Sequence, residues 1–277
     1  MKKHEMEQFA MRIRCLTSEM LLARGDGHIG GSFSMIEALA AIFGNHMNQN
    51  SNSKDWFVLS KGHAGPAYYA VLALMGTIPM DQIKTLNENG TILPSHPDRM
   101  KTPGFDCTTG SLGQGISQAV GIAYGLQVQG KSGHVYCIVG DGECNEGEVW
   151  EAFQFAAHKR LHNLTIFIDD NEKQVDGFTK DISCHYNFTA LGDALGLSVL
   201  EINGNDVTEV DNAIKECLNN TETCSLIDMH TVKGYGISYF EEQGNPHHVK
   251  FSEEGRKALE EAIHKMRKEL GDELDAA

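Results

Sequence analysis

The sequence has no CxxC pair and no metal-ligand spacing among its seven cysteines, Cys15, Cys107, Cys137, Cys144, Cys184, Cys217 and Cys224. That argues against a cysteine-ligated zinc site and suits buried thiols in a reducing compartment, so a cytoplasmic protein is expected. Cys144 has no partner base apparent in sequence and reads as structural rather than nucleophilic. Positive charge is also scarce: 23 Lys and Arg stand against 38 Asp and Glu, a net charge of −15, and no basic cluster stands out. Nucleic acid and anionic membrane are therefore not expected partners. Apolar stretches are broken by Gly, Pro or polar residues well short of the roughly 20 residues that a membrane-spanning helix needs. The opening MKKHEMEQFAMRIRCL lacks the apolar core of a signal peptide. No repeat, low-complexity run or Pro/Ser-rich linker divides the chain, so residues 1–277 are expected to form one domain.

What is present is an alternation of two periods. WFVLS (56–60), VYCIVG (135–140), LTIFID (164–169), SVLEI (198–202) and CSLIDM (224–229) are short, apolar and rich in β-branched residues, as buried parallel strands are. Between them lie helical stretches at 114–129, 148–160 and 206–219, and the charged, Ala-containing tail at 252–274 predicts a surface helix. This predicts an α/β fold, a doubly wound and mostly parallel sheet with helices on both faces. Ligands of such sheets collect at the C-terminal ends of the strands.

The densest chemistry falls there. Residues 140–177 read GDGECNEGEVWEAFQFAAHKRLHNLTIFIDDNEKQVDG: the end of a strand, a GDG turn, a helix, a second strand and an Asn-bearing loop. Asp141 and Asn171 are thirty positions apart (171 − 141), about one βαβ unit, so neighbouring parallel strands can bring both oxygens to one edge. One carboxylate, one amide oxygen and the backbone carbonyl of Lys173 suit Mg²⁺, a hard cation that prefers few protein oxygens and leaves room for phosphate. Ca²⁺ or Mn²⁺ could substitute. Gly140 and Gly142 permit close approach of a ligand. The helix after Gly147 is expected to direct its free N–H groups at the same place. In so acidic a chain, an anionic cofactor is expected to be held by metal, backbone amides and histidines.

The clasp resembles that of thiamine diphosphate enzymes, and within them the transketolase family. The likeness extends through GHIGGSFSMIEALAAIF (27–43), LSKGHAGPAYYAVLALMG (59–76), LPSHPDRMKTPGFDCTTGSLGQGISQAVGIAYGL (93–126) and HTVKGYGISYFE (230–241), in the family's order and with matching intervals. It implies the thiamine diphosphate-binding fold of the diphosphate-binding (PP) domain and transfer of a two-carbon ketol unit from a ketose to an aldose. Of the thirteen histidines, four lie in or near these motifs, and the resemblance gives them roles. His28 and His247 relay a proton at the C3 hydroxyl or acceptor aldehyde, His96 holds the donor's C1 or C2 oxygen, and His63 touches diphosphate and substrate. Such proton traffic near neutral pH is what imidazole supplies. By the same resemblance Gly110 and Leu112 meet the aminopyrimidine ring, Asp141, Gly142 and Asn171 hold metal and diphosphate, and Glu146 belongs to a carboxylate relay near a subunit interface.

Two departures stand out. Lys173 replaces the apolar residue usual in the clasp loop, so its carbonyl can serve the metal only if its side chain is directed elsewhere. In GNPHHVK the usual histidine-glycine pair is His247 and His248, and spacing from GYG favours His247. Nothing matches the pyrimidine-binding and C-terminal domains of a full transketolase. The resemblance therefore implies the N-terminal half of a split enzyme, inactive alone and completed by a separate C-terminal subunit, most simply as an α2β2 heterotetramer. Donor sugars range from pentose phosphates to specialised apulose-type phosphates and sulfo-sugars. An α subunit of a 2-oxo acid dehydrogenase and a non-catalytic thiamine diphosphate-binding half are the alternatives.

Overall fold

A computed structural model describes residues 1–49 and 53–271. The strands are β1 (Asp26–Gly27), β2 (Trp56–Leu59), β3 (Val135–Gly140), β4 (Leu164–Asp170), β5 (Ser198–Asn203), β6 (Ser225–His230) and β7 (Val249–Lys250). The α-helices are α1 (Lys3–Arg24), α2 (Ile29–Phe33), α3 (Ile36–Ala41), α4 (Gly65–Leu74), α5 (Gln114–Val128), α6 (Gly147–Lys159), α7 (Thr179–Ile182), α8 (Phe188–Leu195), α9 (Val207–Asn219), α10 (Ser238–Glu241) and α11 (Glu253–Leu270).

Strand alternation builds two cores. Phe57 and Leu59 of β2, Tyr136 and Ile138 of β3, and Phe167 of β4 face one side, where they pack with α1, α3, α4 and α9. Val58, Cys137, Val139, Ile166 and Ile168 face the other and pack with α5 and α6. A continuous apolar run with helices on both faces is what a parallel sheet requires. The order is β2-β3-β4-β6-β5, every neighbour parallel, which is the expected α/β architecture. The edge strand β5 departs from the expectation of a buried strand: its residues are half-buried or exposed, because one side has no neighbour.

Register decides what meets at the sheet's C-terminal edge. Gly140 pairs with Asp169, so Asp141 leaves β3 beside the Asp169–Asp170–Asn171 end of β4. A second, two-stranded sheet pairs Asp26 and Gly27 of β1 with Lys250 and Val249 of β7. Gly30 N also donates to Pro246 O at 2.9 Å, and Gly234 N to Gly30 O at 3.1 Å. These bonds fasten the His28 segment to the His247 segment across most of the chain's length. The tail helix begins with Ser252 capping the N–H of Gly255 and runs to Leu270. The remainder of the expected helix, to 274, lies outside the described residues, and no described helix is long and apolar enough to cross a membrane.

Candidate cofactor and active site

A cavity opens at this edge, lined by Asp141, Gly142, Asn171, Lys173, His63 and His247 among others. Asp141 is 2% exposed, and its Oδ2 accepts from Thr179 Oγ1 at 2.7 Å. Burial drives its carboxyl up to about 6, against the opposing pull of that hydroxyl. Asn171 donates through Nδ2 to Asp169 Oδ2 at 3.0 Å and accepts through Oδ1 from Lys173 N at 3.3 Å, which fixes the amide at the cavity wall. Lys173 directs its ammonium away, over the Phe178 ring and to Gln243 O at 3.3 Å, so the clasp loop keeps its carbonyl turned inward.

The donors present fit a hard divalent ion: one buried carboxylate, one oriented amide oxygen and one loop carbonyl. That loop already attracts positive charge. Lys233 Nζ donates to Lys173 O at 2.7 Å and Gln174 O at 3.3 Å. Next to it His247 Nδ1 is buried without a hydrogen-bond partner among the described residues, a polar atom for which the cavity offers a ligand's space.

Lysines are the residues that sequence reasoning missed. Metal, amides and histidines were expected to hold an anion, yet Lys61 and Lys233, 1% and 2% exposed, also line the cavity. Lys61 pairs with fully buried Asp169, whose oxygens also receive Ser34 Oγ at 2.6 Å and Thr231 Oγ1 at 2.5 Å. Burial lowers Lys233 to about 8, partly offset by Asp141. The signal was available: each lysine interrupts a strand-end motif, SKGHA and HTVKGYG, where a charge has no apolar-core role.

The four candidate histidines come from four separate segments and meet around His28. Ring centroids lie 5.4 Å from His28 for both His63 and His247, and 5.9 Å for His96. His248 is also close, at 4.6 Å, but it lies on the outer side with Ser95 and Pro66, whereas His247 lines the cavity and sits 4.9 Å from His63. Desolvation, with neighbouring imidazoles and lysines, lowers His28 to about 4 and His247 to about 3. It also lowers His96, and it lowers His63 well below the ordinary value. At neutral pH the cluster is a set of uncharged imidazoles that can accept or donate protons.

Gly110, with φ of +148°, passes so close to His96 that a Cβ there would lie 3.1 Å from the His96 ring, and Leu112 reaches the cavity. Glu146 lies outside, exposed at the start of α6. The buried carboxylate of this motif is instead Glu143, in a 3₁₀ turn before α6. It accepts from Ser60 Oγ at 2.5 Å, Gly113 N at 2.8 Å and Gly140 N at 3.1 Å, tying β2, α5 and β3 together. That turn also corrects the expected role of the α6 N-terminus: Gly140–Glu143 line the cavity, while Gly147 does not. Six cysteines are buried, as expected, but Cys184 is exposed. Burial raises the Cys144 thiol well above its ordinary value, in keeping with a structural role.

Parallel sheet, strand-end oxygen cluster and buried cations together match an α/β domain of the thiamine diphosphate enzyme class. Residues 5–273 match the family described as "Transketolase, thiamine diphosphate binding domain", and the chain belongs to the transketolase family. It is 41% identical over 270 residues to SqwG of Clostridium sp. (strain MSTE9), a 6-deoxy-6-sulfo-D-fructose transketolase subunit, covering 96% of this chain and 97% of that protein. It is 37% identical to an apulose-4-phosphate transketolase subunit of Actinobacillus succinogenes, over 85% of this chain and 87% of the relative. The transketolase crystal structure from Campylobacter jejuni superposes with a TM-score of 0.86 at 27% identity, covering 95% of this chain but 43% of that one. The chain thus spans under half of the solved transketolases that it matches.

Proposed function

We propose that this chain is the N-terminal, thiamine diphosphate- and Mg²⁺-binding subunit of a two-chain transketolase that moves a two-carbon ketol unit from a specialised ketose to an aldose. The carrying observation is that His63 and His247 line the cavity that holds Asp141, Asn171 and the Lys173 carbonyl, with the His28 ring packed against both and the His96 ring against His28. Relatives of matching length are named as subunits for a sulfonated and a phosphorylated sugar, which supports a donor with an anionic end.

Thiamine diphosphate, when bound, would supply a nucleophilic thiazolium carbon for the donor carbonyl and a cationic ring able to delocalise the electron pair left on C2 when the C2–C3 bond breaks. The chain's part is holding and proton transfer. Asp141, Asn171 and the Lys173 carbonyl hold the metal; His63 and Gly142 meet the diphosphate. Gly110 and Leu112 support the aminopyrimidine ring. His28 and His247 exchange a proton with the donor's C3 hydroxyl or the acceptor aldehyde, for which an uncharged imidazole is the competent base. His96, the most exposed of the four, holds the C1 or C2 oxygen. Glu146, exposed at the start of α6, joins a carboxylate relay that faces a second subunit. The second chain contributes the pyrimidine-binding and C-terminal domains, and α2β2 is the simplest assembly.

The test is reconstitution with a chain carrying those domains, assayed on a panel of sulfonated and phosphorylated ketoses. Ketol transfer is expected only with both chains, thiamine diphosphate and Mg²⁺ present. Turnover of pyruvate in place of ketoses, or no transfer from any donor by the assembled pair, would overturn the reading.

A further inference from the structure

Register places a second group of ligand-type side chains on the sheet face away from Asp169 and Lys61. Asp170 pairs with His230, and Asp228, two residues earlier on β6, pairs with Glu201 of β5. Alternation therefore sets Asp170, Asp228, His230 and Glu201 on one face. One ligand atom each from Asp170, Asp228 and His230 lies within 4.8 Å of the others.

Three features separate this group from an ordinary surface ion-pair cluster. Asp228 is 4% exposed, and its Oδ1 is buried with no hydrogen-bond partner among the described residues. A buried carboxylate oxygen without a partner is costly. His230 is held by its outer nitrogen, Nε2 to Glu201 Oε1 at 2.9 Å. A neutral imidazole donating there turns the lone pair of Nδ1 toward Asp170 Oδ2, 3.7 Å away. That distance is too long for a hydrogen bond. It is close to the roughly 3.4 Å between ligand atoms of one tetrahedral ion with bonds of about 2.1 Å. Asp170 in turn is held by His185 Nε2, at 3.1 and 3.3 Å from its two oxygens. The strongest electrostatic neighbours of Asp228 are Asp170, His230, Glu201 and His185, with no lysine or arginine among them. Two carboxylates and His230 Nδ1 thus converge with no lysine or arginine between them; against the opposing effect of desolvation, the carboxylates raise the imidazole above its ordinary value, so a metal ion competes there with a proton.

We propose that Asp170, Asp228 and His230 form a metal site for a divalent transition ion, best matched by Zn²⁺. A histidine nitrogen with two carboxylate oxygens suits Zn²⁺ better than Mg²⁺ or Ca²⁺. Glu201 and His185 orient two of the ligands, as outer carboxylate and imidazole partners do around bound zinc. An ion there joins β4 to β6 and, through Glu201 and His185, ties in β5 and the segment before α8.

The test is Zn²⁺ titration of untagged, chelator-treated full-length protein by calorimetry, with metal content measured after dialysis. One equivalent is expected in the wild type and in Asp141→Ala and Cys184→Ser. The pair Asp228→Asn with His230→Gln should lose it, and Glu201→Gln should bind about 10–100-fold more weakly. Co²⁺ bound to the wild type should give the visible absorption of a tetrahedral N/O site, a readout that does not depend on any variant folding. Wild type with neither bound Zn²⁺ nor that Co²⁺ spectrum, or Zn²⁺ lost in Asp141→Ala or Cys184→Ser but kept in the Asp228/His230 pair, would overturn the assignment.

Discussion

Asp141 is the residue at which burial and charge conflict most. With Thr179 Oγ1 as its side-chain hydrogen-bond partner, it is held at about 6, well above its ordinary 3.8, so its ionised form lacks the compensation that a cation would provide. Asp141→Ala should abolish retention of thiamine diphosphate with Mg²⁺, and unchanged affinity by calorimetry on the assembled complex would refute the metal assignment. In the wild type, Mg²⁺ must displace the Asp141 proton. Affinity is therefore expected to fall as pH drops below about 6 and to be flat above it. Lys61 is the converse case, a buried cation already paired with Asp169. Lys61→Met leaves that carboxylate buried without its counter-charge and should cost about 3–5 kcal/mol in denaturant unfolding. Sequence made the clasp residues legible because Asp, Asn and Gly at fixed spacing carry a recognisable chemistry. It left the Lys61–Asp169 pairing in the background because that contact is made between segments 108 residues apart.

At the scale of elements, the sheet was legible and its supports were not. All five strands of the main sheet lie within a residue or so of the positions that β-branched, apolar runs predict, from Trp56–Leu59 to Ser225–His230. The helices α5, α6 and α9 begin and end similarly close to expectation. By contrast the tiny β1–β7 pair had no sequence signal; long-range packing forms it. The start of α5 shows how tightly these elements lock. A Cβ on Gly115 would lie 2.5 Å from the Ser60 Cα, so the helix is seated on backbone at the end of β2. Gly115→Ala should therefore destabilise by about 1–3 kcal/mol in thermal or chemical unfolding, although alanine is the better helix former.

For the molecule as a whole, the buried histidines set the acid limit. His28, His247 and His134 fall from 6.5 to about 4, 3 and 3, and His63 falls well below 6.5. Because the unfolded chain takes up these protons first, the native state loses stability as pH falls through 6.5 toward those lower values. Asp141 and Asp228, both raised to about 6, and Asp55 and Glu143, also raised by burial, act in the opposite sense, because there the native state is the one that binds the proton; with His46 and His96 lowered as well, the six imidazoles outnumber these four carboxyls. The cofactor-free protein should thus melt at progressively lower temperature on acidification below 6.5. A midpoint that rises or holds would show these imidazoles to be solvated. The sequence by itself determined the strands and the family, because each rests on local periodicity or on motifs at short, fixed spacing. Only the tertiary structure decided that His247 rather than His248 lines the cavity, that buried lysines share it, and that Asp170, Asp228 and His230 meet on the opposite face. Those outcomes depend on strand register and on which neighbour desolvates which side chain, and both are set only when distant segments pack.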